Sequence, residues 1–365
     1  MNKALRAALV ALALVGGTIV ATASPATAAT YTVTSSACLG PGTLADAISQ
    51  ANANPGADTI NLTVNVDDWY LASCGLPANR RMPVRITGAV TINGNGHSIL
   101  SSSTWIAGDG SVNNTTICPK NQPGVMFLSD PSGGFEIGAS STDNTGVDVT
   151  INDLTMDGLL NMAVVNDKAT LKLDAVQGKN IMDTRSCNNA AIEAGDGASL
   201  TVTDSKFSKL FNWAPTIGAA GVGVISGGGA ANLTISKSSF ENNLDAGAVM
   251  WLGNASSTVN IVSSQFANSG GVSIIGGPGP VTANIVNSAF GFSNFYPPDH
   301  IVASGDATVN LTASTISASS SKCEGQTYQG QCAEPYGVLG VEGGGVINLV
   351  QSAVGVADPD GATRP

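Results

Sequence analysis

The chain has 365 residues, a net charge of -11 and only 11% charged residues. So acidic a chain, with so few cations, is excluded from the usual binders of nucleic acid and of anionic membrane surfaces. Its 43% hydrophobic content excludes a disordered polymer despite abundant Gly, Ser, Thr and Asn, and the Val-rich composition points to β structure.

In chain order, the first feature is a leader. Lys3 and Arg6 precede an apolar run from Ala7 to Val20, which gives way to small residues ending in Ala26-Thr27-Ala28. This is the layout of a secretory signal peptide cleaved near Ala28 or Ala29, so residues 1–29 are expected to be removed and 30–365 to be exported as one domain. No later stretch reaches the roughly 20 apolar residues that cross a bilayer, so no membrane span is expected. The six cysteines, Cys38, Cys74, Cys118, Cys187, Cys323 and Cys332, form an even set without a CxxC pair, which favours disulfides over zinc. Their connectivity stays open.

A single amphipathic helix follows, within CLGPGTLADAISQANANPGADTINL from Cys38 to Leu62. Thr43 is placed to cap it, Asp46 to complete a capping box, and Leu44, Ala47, Ile48 and Ala51 share one face. Gly56 after Pro55 marks its stop.

From Val90 onward the chain repeats itself. VTINGNGH at Val90 is followed by VTINDLTM at Val149, LKLDAVQG at Leu171, LTVTDSKF at Leu200 and LTISKSSF at Leu233. The series continues with VNIVSSQF at Val259, ANIVNSAF at Ala283, VNLTASTI at Val309 and INLVQSAV at Ile347. Each copy alternates apolar and polar residues, as a strand with one buried face does, and most close on a bulky residue such as Phe207, Phe240, Phe266 or Phe290. Glycine turns precede most copies, and a second strand such as AVMWL from Ala248 fits between. One strand, a bulky residue, a second strand and a glycine turn make one coil, and stacked coils make a parallel β-helix. The expected fold is all-β, a right-handed parallel β-helix, with a cap over 30–62 and coils over 90–356. The helix then serves as a lid, because the first coil of a stack otherwise exposes an open strand edge and an apolar core.

GPGTLADAISQANANPGADTINL with TINGNGHSI at Thr91–Ile99 resembles the cap and first coil of secreted bacterial parallel β-helix proteins related to the pectin-lyase-like superfamily. The usual cap has arginine where Ala45 stands, which removes a salt bridge from the pattern. The resemblance implies an extracellular bacterial protein and a range of functions, from polysaccharide lyases and glycoside hydrolases to adhesins, and fold alone does not choose among them. The polygalacturonase set of NTD, DD, GHG and RIK is absent, as are the clustered Asp and Arg motifs of pectate lyases.

Candidate chemistry comes from the register. Asp183, Asn212 and Asp245 each stand twelve positions after a strand start, on successive coils. Two coils separate the carboxylates, roughly 9 to 10 Å, the upper end of the spacing used by inverting glycosidases. Arg185 and Lys209 would meet an acidic sugar or abstract a proton, while Trp213, Trp251, Asp299 and His300 would line a substrate groove. The bland reading of the same residues is turns and ladders for Asp and Asn, and core packing for the tryptophans. His97 reads as structural, and Arg80, Arg81 and Arg85 as a loop beside the cap. The GDG and GDA turns lack the nonapeptide pattern that binds calcium, so neither a metal nor a cofactor is expected.

Two functions remain in view. One is a non-catalytic or adhesin-like protein that binds an extracellular polysaccharide or cell-surface glycan through a polar long side. The alternative is a lyase or hydrolase of acidic polysaccharide working on the Asp183 and Asp245 face.

Overall fold

The computed structural model describes residues 27–67, 84–100, 134–138, 146–159, 161–181, 190–208, 223–243, 247–253, 257–267, 269, 271–291, 301–319 and 339–357. Across these the chain is a parallel β-helix. A representative coil has a leading strand, Ile192–Ala194, a middle strand, Ser199–Thr203, and a trailing strand, Lys206–Ser208. Each strand pairs in parallel with its counterparts in the coils before and after. The leading and middle strands form one 18-stranded sheet, joined where Val272–Val286 and Ile301–Thr312 run unbroken through the corner, and the trailing strands form a 9-stranded sheet.

The register follows from the period-two pattern. Leu171, Leu200, Leu233 and Val259 are consecutive partners in the middle row, so each buried residue lies over its equivalent. A slip by one residue would turn every such leucine or valine to solvent, which is why the register is fixed. From the coil of Asp148–Asn152 onward only two residues turn the corner between the middle and trailing strands, while 94–97 make a longer corner in the coil before it. The first adopts a left-handed conformation although none in this row is glycine: Asp153, Ala175, Asp204, Lys237, Ser263, Asn287, Ala313 and Gln351 all have φ between 46° and 53°. Such a backbone costs on the order of 1–2 kcal/mol per non-glycine residue.

The second corner residue offsets that cost. From Ser205 onward it is serine in every coil, through Ser238, Ser264, Ser288 and Ser314 to Ser352. Each of these backbone N–H groups before Ser352 donates to the serine Oγ of the next coil at 3.2–3.3 Å. Each Oγ in turn donates to the carbonyl two residues behind it, as Ser264 does to Val262 at 3.0 Å. Ser264→Ala is therefore expected to leave the buried Ser238 N–H without its acceptor and to lower unfolding stability by about 1–3 kcal/mol. A urea titration checks this, with the half-exposed terminal Ser352→Ala giving the smaller shift.

Just beyond the serines, Phe207, Phe240, Phe266 and Phe290 stack in the core with centroids 5.0, 4.9 and 4.6 Å apart. These bulky residues stand in the trailing strands themselves, so a coil has three strands where the repeat reading expected two.

The helix Leu44–Ala53 covers the first coil with the expected face, Leu44, Ala47, Ile48 and Ala51 being buried. Thr43 Oγ1 accepts the Asp46 N–H at 3.2 Å, while the Asp46 carboxylate takes the Gly42 N–H at 3.0 Å, one residue earlier than an ordinary capping box. The helix ends on Asn54 in an extended conformation, not on a left-handed glycine. Asn52 hooks it to the coil, donating to the Arg85 carbonyl and accepting from the Thr87 N–H, both at 2.8 Å. At the far end Val341, Leu349 and Val350 are exposed in the last described coil.

Candidate functional site

Side chains of the middle strands that do not enter the core stand in parallel columns on the outer face of the long sheet. The central column begins with Thr59, Thr91 and Thr150, passes Lys172, and resumes with Thr201 and Thr234. It continues as Asn260, Asn284, Asn310 and Asn348. The column before it holds Thr170, Ser199 and Asn232, then Thr258, Thr282 and Thr308. The column after it opens on Asn61, Asn93 and Asn152 and later carries Thr203 and Ser236. Pleated parallel strands set neighbours within a column about 4.8 Å apart and neighbouring columns about 6.6 Å apart.

Hydrogen bonds lock part of this array. Asn284 Nδ2 donates to Asn260 Oδ1 at 3.1 Å, Asn310 to Asn284 at 3.0 Å, and Asn348 to Asn310 at 2.9 Å. A second ladder runs from Asn152 to Asn93 at 3.0 Å and from Asn93 to Asn61 at 2.9 Å. An amide engaged once as donor and once as acceptor keeps a second N–H and a second lone pair for a ligand. The ladders therefore fix the orientation of groups that still have capacity outward. Charge is confined to one stretch, where Asp148, Lys172 and Asp174 lie on adjacent strands. The ion pairs of the described residues lie elsewhere, as in Lys206 with Glu241 at 2.7 Å and Lys179 with Asp157 at 3.3 Å on the trailing sheet, and Arg85 with Glu136 at 3.0 Å on the leading one.

Of the residues singled out from sequence, Trp251 is described, and it is not a sugar platform. Its indole is fully buried and packs on Gly227 of the preceding coil, where a Cβ would lie 2.4 Å from two ring carbons. A ring enclosed in the core cannot stack on an external sugar, which corrects its assignment to substrate binding. Asp183 and Arg185, Lys209, Asn212 and Trp213, Asp245, and Asp299 and His300 lie outside the described residues. All eight fall in chain segments that connect a trailing strand to the next leading strand, as do the longest insertions of the chain. Arg80 and Arg81 also lie outside the described residues, and Arg85 serves the Glu136 ion pair. His97 holds a corner, its N–H donating to the Gly94 carbonyl at 2.9 Å and its carbonyl accepting the Thr155 N–H at 3.1 Å.

Among the described residues no group of His, Cys, Asp or Glu is arranged to hold a metal ion, and no helix is long and apolar enough to cross a membrane. Cys38 is not a free thiol, and the other five cysteines lie outside the described residues.

Two of the outer columns stand in the aligned repeats at the second and fourth position of each copy, and the third stands one residue before each copy begins. No family model matches the chain, and no curated protein matches it. Among solved structures it is similar to ORF18 of Geobacillus virus E2, at 10% identity and a TM-score of 0.31, over 90% of this chain and 61% of that one. The chain thus spans about three fifths of that protein's length, and the similarity is too slight to fix fold or function.

Proposed function

We propose that this is an exported, disulfide-stabilised extracellular protein that binds a polysaccharide or cell-surface glycan along the outer face of its middle strands, without catalysis. The observation that carries the reading is the Thr and Asn columns. They offer donors and acceptors at a fixed repeat over many coils, held in place by amide ladders and by the sheet itself. A glycan chain is a repeating row of hydroxyls that both donate and accept, and a preorganised row of the same chemistry binds it at little ordering cost. Most of the face is uncharged, so neutral sugars suit it better than uronates.

Purified protein retained by an insoluble neutral polysaccharide, with the same retention at low and at high salt, is the expected result, because screening acts on charges and not on hydroxyl contacts. Retention that disappears in high salt would show that cations, not the columns, hold the ligand.

The enzyme reading rests on one observation, that the segments containing Asp183 and Asp245 occupy the same trailing-to-leading connection two coils apart. Release of reducing ends from an acidic polysaccharide, abolished by Asp245→Asn, would favour it. No release from any substrate of a broad panel leaves binding as the function.

A further inference from the structure

Asp58 opens the strand Asp58–Leu62 and is only 2% exposed. Its Oδ1 accepts the backbone N–H of Ala29 at 2.7 Å and the side-chain amide of Asn54. Its Oδ2 is buried without any hydrogen-bond partner. A buried carboxylate with an empty acceptor and no paired cation among the described residues is costly, and natural structures rarely leave one so.

The missing cation is latent in the chain itself. Ala29 N, already on Asp58, is the atom that becomes an α-amine if the chain is cut after Ala28, and Ala26-Thr27-Ala28 has the small residues a signal peptidase accepts. Thr27 and Ala28 are exposed, so that bond is open to attack. We propose that the cut falls at the Ala28–Ala29 bond, one bond before the boundary after residue 29 expected from the sequence, and that this hydrolysis converts the Asp58 contact into a buried ion pair, so that processing completes the first coil. Water supplies hydroxyl to the Ala28 carbonyl and a proton to the Ala29 nitrogen, which takes a further proton from solvent to become ammonium.

The new terminus has no need to search for its partner. Thr59 N–H donates to the Ala29 carbonyl at 2.8 Å, and Thr30 to Val33 pair in register with Thr59 to Leu62, so the strand holds the nitrogen on the carboxylate. Of its three N–H groups one keeps Oδ1 and another serves the empty Oδ2. Asn54, which also donates to the Thr27 carbonyl at 2.8 Å, loses that second bond when the leader departs and keeps Asp58. Gly56 belongs to the unprocessed state, since a Cβ there would come within 2.5 Å of the Thr27 carbonyl oxygen.

The inference rests on the export reading, and two measurements separate their failures. Mass spectrometry of chain secreted from an expressing bacterium should find Ala29 first. A chain retaining its leader would overturn export and the ion pair together, and one starting elsewhere would overturn the ion pair alone. Protein beginning at Ala29 should then resist acylation of its α-amine, because the adjacent carboxylate holds it charged and moves its reactive form to higher pH. Asp58→Asn should restore ordinary reactivity. Thermal stability should fall by several degrees on α-acetylation, and that loss should vanish in the Asp58→Asn background. An amine that reacts equally fast in both proteins would overturn the proposal. If Asp58→Asn does not fold, acetylated and free Ala29 proteins are compared directly, and equal melting temperatures would overturn it.

Discussion

Phe266→Ala should destabilise the protein by about 3–5 kcal/mol, among the largest losses available to a single truncation in this core. Phe266 is 1% exposed and is sandwiched, with Phe240 at 4.9 Å and 8° on one side and Phe290 at 4.6 Å and 3° on the other. Alanine removes apolar surface from the core and also ends stacking on both faces. The coil spacing is set by backbone hydrogen bonds, so neighbouring rings cannot close the gap, and the cavity persists. Among the described residues Phe207 has a ring on one side only, Phe240 at 5.0 Å, and meets Gly178 and the Met162 thioether on the other. Phe207→Ala should accordingly cost less. Denaturant midpoints for the two variants check the order, and a double-mutant cycle on Phe240 and Phe266 should return about 0.5–1.5 kcal/mol of coupling. Equal losses at Phe207 and Phe266 would mean that stacking contributes little beyond burial.

Adding one methyl should be nearly as damaging at Gly227. The Trp251 ring fills the space a Cβ would need, with three ring carbons at 2.4, 2.4 and 2.7 Å, and the ring is itself enclosed. Overpacking a rigid core by one methyl costs about 1–3 kcal/mol, and here the obstacle is an indole with no room to swing, so Gly227→Ala should fall at the top of that range. The sign of the second-site effect is the sharper test. Trp251→Leu alone should destabilise by leaving a void, yet in the Gly227→Ala background it should restore stability, because the methyl then has space. Thermal melts of the two single variants and the pair decide it. Strictly additive losses would show that the methyl disturbs something other than the indole.

How much of this was legible follows from how many positions each feature spans. The middle strands were plain, because Leu200 and Val202 alternate with Ser199, Thr201 and Thr203 over a full five-residue strand. The trailing strands were not, because three residues such as Gln265–Ala267 offer too few positions for a period, so Phe266 read as a closing residue. The middle-to-trailing corners were hidden for a different reason. Glycine marks left-handed turns in a sequence, but at Lys237 and Ala313 the serine ladder from neighbouring coils sustains that conformation, and a cross-coil contact leaves no local signature. Trp251 was misread because residue type alone fits both a sugar platform and a core. The deciding fact is that Gly227 is its register partner one coil away. The cap helix's start and buried face were legible since those signals, Thr43 and the Leu44–Ile48–Ala51 face, are local, whereas its end falls on Asn54 before the Pro55–Gly56 stop that the sequence suggested.

The candidate site divides along the same line. Its columns need only the strand register, which the repeats supply. The loop constellation of Asp183 and Asp245 depends on connections whose length varies from coil to coil, where no period constrains placement.

The most direct test of the binding face is to charge it. Thr201→Lys with Thr234→Lys puts two like charges on adjacent coils in the middle of the central column, pointing away from the core, so the fold should survive. The matched control places Lys at Ser239 on the trailing sheet. With circular dichroism unchanged in all three proteins, retention on the polysaccharide that captures the parent should fall at least tenfold for the pair and stay level for the control. Undiminished retention by the double variant would contradict the account, since a ligand indifferent to two lysines in the central column is not held there.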